Sequence, residues 1–167
     1  MSENRIVSVF ADGGVIGRNP SALGGTFAWC HVDAAGVRVR ANSGIVEVGF
    51  HGLADISNNT TELVAMIEGL ETLPEGWAGT ALTDSRVTLC RLRGNKPAWP
   101  SVPAPLYSRA RAALKRLGRL QWILLNGHPT AADMARGVGS RGLPVSEHNV
   151  FCDLACTAMA QWRKTGG

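Results

Sequence analysis

The sequence predicts an α/β fold on a five-stranded mixed sheet, and three observations carry that reading. Three strand-like runs separated by turn residues come first, so the chain opens on consecutive antiparallel strands. A helical apolar period through Leu63, Met66, Ile67 and Leu70 follows. Two further short apolar runs then alternate with helical segments and complete a mixed sheet.

Residues 6–11 are β-branched and aromatic, and Asp12-Gly13-Gly14 predicts a turn after them. A second strand is expected over 24–32, with a hairpin turn at 33–36. Over 37–43 valine alternates with arginine, as on a half-exposed third strand. The helix is predicted over 60–73, with Asn59 as N-cap and Pro74 and Gly76 beyond its end. Residues 78–83 read as strand four, ending at Asp84-Ser85. A Pro-rich stretch, 97–105, breaks the helical segments that follow, and a clear helix runs over 106–117. Strand five is expected at 120–125 and a closing helix at 147–163.

The 167 residues suit one domain, 1–167, and 45% hydrophobic against 18% charged residues is a globular balance. No apolar stretch approaches the roughly 20 residues of a spanning helix. The first residues lack the layout of a signal peptide, so a cytoplasmic protein with no membrane role is expected. Cys30, Cys90, Cys152 and Cys156 form no C-x-x-C pair and no zinc spacing. Reduced core thiols are the expectation.

Charge is uneven along the chain. Between Ser85 and Arg119 stand nine basic residues and no acidic one: Arg86, Arg91, Arg93, Lys96, Arg109, Arg111, Lys115, Arg116 and Arg119. Such a block suits a polyanion, nucleic acid above all, or a solvated helix face.

Four acids stand where a sheet-based site needs them. Asp12 is expected to end strand one and Asp84 strand four, so neighbouring strands would bring both to one edge. Glu62 lies in the first turn of the helix. At about 100° per residue, the apolar stripe centres about 75° from Glu62 and the solvent acids Glu68, Glu71 and Glu75 about 145° from it. Glu62 is therefore expected to face the protein. Asp153 lies near the start of the last helix, where its charge suits the macrodipole. Singly, each has an ordinary role as a turn, cap or helix-start residue. Gathered together, they suit a hard cation such as Mg²⁺.

The series Asp12-Gly13-Gly14, Asn58-Asn59-Thr60-Thr61-Glu62-Leu63, Thr83-Asp84-Ser85 and His148-Asn149-Val150-Phe151-Cys152-Asp153 resembles type 1 ribonuclease H. The resemblance lies in the order and spacing of four motifs over nearly the whole chain. It implies the ribonuclease H-like fold, five mixed strands flanked by helices. It also implies a monomer in which Asp12, Glu62, Asp84 and Asp153 bind two Mg²⁺, or Mn²⁺, ions. The implied reaction is cleavage of the RNA strand of RNA–DNA hybrids, leaving 5′-phosphate and 3′-hydroxyl ends. The family's backbone contact maps onto Gly13 and its paired asparagines onto Asn58 and Asn59, which would read 2′-hydroxyls. Arg86 takes the place of a polar substrate contact two residues after the third carboxylate. Asn149 takes the place of the family's final asparagine, another substrate contact.

Three departures stand out. The segment after Asp84 is too short for the basic handle of some members. Arg91, Arg93 and Lys96 are expected to replace it in part, with Trp99 as either a stacking surface or core. Val150 stands where the family has an acid. The loop from Asn126 is about 20 residues long, which suggests a functional or mobile segment. Within it His128 resembles the family's proton-transferring histidine, with His148 as rival. His31 and His51 are expected to be structural.

Overall fold

The computed structural model describes residues 5–97 and 99–167. Along the chain run β1 (Ile6–Val15), β2 (Gly25–Asp33), β3 (Arg38–Val46), α1 (Asn58–Glu71), β4 (Gly79–Thr83), α2 (Arg86–Arg93), α3 (Ala104–Arg116), β5 (Leu120–Leu124), α4 (Ala131–Arg136) and α5 (Glu147–Lys164). The sheet order is β3-β2-β1-β4-β5. β1 pairs antiparallel with β2 and parallel with β4, and β4 pairs parallel with β5.

β1 is central, which explains its largely apolar sequence: alternate residues of its middle are buried on opposite faces. Val9 and Ala11 join Leu63, Met66, Ile67 and Leu70 of α1 and Leu106 and Ala110 of α3 in one core. Phe10 faces the other way, into a smaller core with Cys152 and Cys156 of α5. The result is a sheet with helices on both faces.

Register delivers the acids. Phe10 lies opposite Leu82 in the parallel pair, so Asp12 and Asp84, each two residues on, leave the sheet at one level and toward one face.

Asp12 does not end β1. The strand continues to Val15, with Asp12, Gly13 and Gly14 paired to Ala28, Phe27 and Thr26. The glycines read as a turn, yet here they permit close packing. A Cβ at residue 13 would sit 2.4 Å from the Glu62 amide nitrogen. Gly13 thus lets the first turn of α1 lie directly on β1.

Two other expectations change. The N-cap of α1 is Ser57, whose hydroxyl accepts from the Thr60 amide at 3.2 Å, rather than Asn59. The segment after β5 is built rather than structureless. Thr130 and Asp133 cap α4 reciprocally, and Arg136 donates to Asp133. Beyond α4, Val138 bridges to Pro144 and the Asn126 amide donates to the Pro144 carbonyl at 2.9 Å.

The basic block divides. Arg109 pairs with Glu71 at 2.6 Å, and Arg116 donates to the Glu71 and Leu73 carbonyls at the end of α1. Arg111 donates to the Gly94 and Lys96 carbonyls. These three arginines hold the helices together. Trp99 is buried, edge-on to Tyr107 with ring centroids 4.9 Å apart, so it belongs to the core.

Cys30, Cys152 and Cys156 are buried free thiols, whereas Cys90 is exposed. His31 is buried against the Gly69 carbonyl at 2.8 Å, and His51 lies exposed in a short 3₁₀ turn. Among the described residues no helix is long and apolar enough to cross a membrane.

Candidate active site

Three chain segments meet beside Asp12 of β1. Asp12 comes from the strand, Glu62 from α1 and Asp84 from the end of β4, and one oxygen of each lies within 4.8 Å of the others. Asp12 and Glu62 are buried and Asp84 is partly buried. Asp12 Oδ1 accepts the Gly13 amide at 3.0 Å, Glu62 Oε1 accepts Asn58 Nδ2 at 3.3 Å, and Asp84 Oδ2 accepts Asn149 Nδ2 at 3.3 Å. Glu62 Oε2 is buried without a protein partner. A cavity of about 350 Å³ opens over the cluster, with Asp153 and His128 also on its wall.

Charge crowded into a buried place is unfavourable unless something balances it. Burial, reinforced by the neighbouring carboxylates, pushes Asp12 up to about 9 and Glu62 up to about 8. Asp84 is raised for the same first reason. Four facts fit a divalent cation: hard oxygen donors, close spacing, an orphaned Glu62 oxygen and an uncompensated charge.

The shifts have a consequence for stability. Without a cation, the folded protein retains protons that the unfolded chain, with carboxylates near 4, has released. More protons are bound in the folded state, so stability falls as pH rises toward the folded values of about 8 and about 9. Thermal melts in EDTA should therefore show the melting temperature dropping from about pH 7 to about pH 8.5, above the histidine range. Asp12→Asn should flatten that drop. At about pH 8 it should melt about 4–8 °C higher than the wild type, the shift that about 2 kcal/mol gives in a chain of this size. Parallel profiles for the two proteins would show that Asp12 carries no uncompensated charge.

No known family profile matches the sequence, and no curated protein matches it. Solved structures do. The N-terminal RNase H domain of a Mycobacterium tuberculosis protein, solved as a fusion with maltose-binding protein, matches with TM-score 0.62 at 16% identity, over 95% of this chain and 97% of that one. RNase H1 of the halophilic archaeon Halobacterium salinarum matches with TM-score 0.62 at 17% identity, over 93% and 97%. LC11-RNase H1, solved in complex with an RNA/DNA hybrid, matches with TM-score 0.65 at 14% identity, over 94% and 98%. The chain has the ribonuclease H fold.

Within this ribonuclease H fold the expected site residues fall into groups. Asp12, Glu62 and Asp84 converge. Asp153 stands apart from that trio on the cavity wall, its Oδ2 3.5 Å from His128 Nδ1. Gly13 and Asn58 line the same cavity, but the Gly13 amide and the Asn58 side chain are already bonded to Asp12 and Glu62. Asn59 is exposed on the first turn of α1, and Asn149 is buried behind Asp84. Arg86 lies outside the carboxylate cavity. Arg91 and Lys96 line a separate hollow of about 370 Å³ beside Trp99, and Arg93 is exposed on α2.

Gly127, not among the expected site residues, also shapes the ribonuclease H-fold site. A Cβ on Gly127 would lie 3.0 Å from Asp84 Oδ2, so this glycine lets the loop pass over the carboxylate. His128, next in sequence, has a left-handed backbone at φ 48. The Gly-His pair directly after strand five was the available signal.

Proposed function

We propose that this chain is a metal-dependent endoribonuclease that hydrolyses the RNA strand of RNA–DNA hybrids, leaving 5′-phosphate and 3′-hydroxyl ends. The convergence of Asp12, Glu62 and Asp84 oxygens within 4.8 Å carries the proposal. A protein that only bound a polyanion would gain nothing from a buried negative cluster, which repels phosphate. Asp12, Glu62 and Asp84, with Asp153 across the cavity, would hold two Mg²⁺ or Mn²⁺ ions. Ions held there would supply activation of water and neutralisation of charge on the phosphate.

The chain's own groups have distinct tasks in this reading. Asn58 and Asn149 fix the rotamers of Glu62 and Asp84 through one hydrogen bond each. Asn59, exposed beside them, and the backbone near Gly13 meet the sugar edge of the RNA strand, where a 2′-hydroxyl distinguishes it from DNA. His128 moves a proton at the cavity mouth. Arg86, Arg91, Arg93 and Lys96 hold phosphates.

Labelled RNA–DNA hybrid, double-stranded RNA, single-stranded RNA and duplex DNA, each incubated with Mg²⁺, Mn²⁺ or EDTA, test the reading. Cleavage of the RNA strand of the hybrid alone, abolished by EDTA, is expected. Cutting of duplex DNA in preference would assign the site to another substrate.

The basic segment should supply affinity rather than chemistry. Replacing Arg91, Arg93 and Lys96 together by Ala should weaken hybrid binding and reduce the slope of log K against log salt by about 2–3, one counterion-equivalent per lost phosphate contact. Turnover at saturating hybrid should hold. An unchanged slope would show that α2 and the segment after it face away from the nucleic acid.

A further inference from the structure

A second cavity, of about 510 Å³, adjoins the carboxylates and shares Asp84, Gly127 and His128 with theirs. Its floor is the end of β5 and the residues after it, Leu124 to Asn126, and its far wall is Ser140 to Leu143 of the turn beyond α4. That wall is preformed. The Gly139 amide donates to the Leu143 carbonyl at 2.8 Å, and the Asn126 amide ties the turn to the strand end. Gly142 takes a left-handed φ of 77 inside the turn, and Gly139 packs so tightly that a Cβ would lie 2.2 Å from the Asn126 side chain.

The charges in this cavity are unequal in their commitments. Asp133 is consumed by Thr130 and Arg136. Arg86, from the start of α2, and Arg141, from the turn, have no hydrogen-bond or ion-pair partner among the described residues. They come from opposite sides of the chain to line one space. Two free guanidinium groups facing a preformed hollow suit a phosphate, which each can grip with two parallel N–H bonds. Leu124, Leu125 and Leu143 give the same hollow an apolar side, suited to a base or sugar face.

We infer that this cavity is a subsite for a phosphate-bearing nucleotide of the strand being cut, with Arg141 and Arg86 on its phosphate. The identity of the strand rests on the ribonuclease reading; the phosphate site does not. Through the shared wall at Asp84 and His128, a nucleotide seated there is adjacent to the one over the carboxylates. The segment after β5 therefore acts as a clamp on the substrate.

The test is a titration of the isotope-labelled chain, in EDTA, with uridine 5′-monophosphate, followed by amide NMR shifts. Saturable shifts at Asn126, Gly139 and Gly142 are expected. Arg141→Ala should weaken binding about ten-fold, the loss of a charge-assisted contact, and Arg141→Glu further. Lys164→Ala, which removes an equal charge from the far end of α5, should leave binding unchanged. Uridine without phosphate should bind far more weakly. Equal affinities for wild type and Arg141→Ala, or equal binding of nucleoside and nucleotide, would overturn the subsite. Steady-state cleavage separates the two readings: Arg141→Ala should raise KM for hybrid about ten-fold with little change in kcat. Nucleotide binding through Arg141 in a chain that cuts no hybrid would keep the subsite and remove the ribonuclease assignment. Hybrid cleavage with KM unmoved in Arg141→Ala would do the reverse.

Discussion

Asp12→Asn and Asp84→Asn should each lower hybrid turnover by about 10³-fold or more, while the proteins still bind hybrid. Each substitution keeps the shape of the side chain and removes one anionic oxygen from a trio within 4.8 Å. What would disappear is the charge proposed to hold a divalent ion, and the basic residues proposed to meet phosphate, on α2, the segment after it and the turn beyond α4, are left untouched. Collapse of the fold is not the expected cause. Removing one of several mutually repelling buried carboxylates relieves strain in the absence of metal, so the Asn variants should melt no lower than the wild type in EDTA. Single-turnover cleavage beside binding measured by fluorescence anisotropy, with Ca²⁺ in place of Mg²⁺, makes the comparison. Full turnover in either variant would remove these residues from the reaction. Loss of binding in parallel with turnover would instead make them part of the nucleic-acid surface.

Much of this site was legible in the sequence because it follows from strand register and helix period, which are local. Asp12 and Asp84 each sit two residues past an apolar residue of the smaller core, Phe10 and the partly buried Leu82, on adjacent parallel strands, and the 3.6-residue period alone turned Glu62 inward. What was not legible depends on distance. Gly13 reads as a turn signal, and only the approach of α1 reveals it as the gap that admits Glu62. Ser57, Asn58 and Asn59 are all competent caps, and backbone conformation at Ser57 decided among them. Arg109, Arg111 and Arg116 look like part of a phosphate-binding block. Their partners are Glu71 and backbone carbonyls up to 46 residues away, which no local pattern announces. α4 has six residues, too few for a helical period to emerge, so its segment reads as loop.

His128→Ala should slow turnover by about 10²-fold and leave metal dependence intact, whereas His148→Ala should change turnover by no more than a few-fold. The two histidines are separated by what surrounds them. His128 stands at the cavity mouth with its side chain 83% exposed and its Nδ1 3.5 Å from Asp153 Oδ2. It can therefore meet a reacting oxygen and return the proton to water. The bare Gly127 lets the loop pass close to Asp84, and His128, left-handed at its backbone, lines the carboxylate cavity. His148 is enclosed. Arg38 donates to its Nδ1 at 2.9 Å, and its ring lies 5.1 Å from that of Phe10. Burial first, with Arg38 adding to it, holds its pKa below the usual histidine value. It stays a neutral acceptor, so its loss should appear in stability: a packed ring is removed and the Arg38 guanidinium loses its acceptor, together costing about 1–3 kcal/mol. Turnover at saturating hybrid and equal Mg²⁺, corrected for folded fraction from a urea titration, reads both effects at once. A greater loss of turnover in His148→Ala would transfer the proton-handling role to the start of α5. Equal, small losses in both variants would mean that water alone carries the proton.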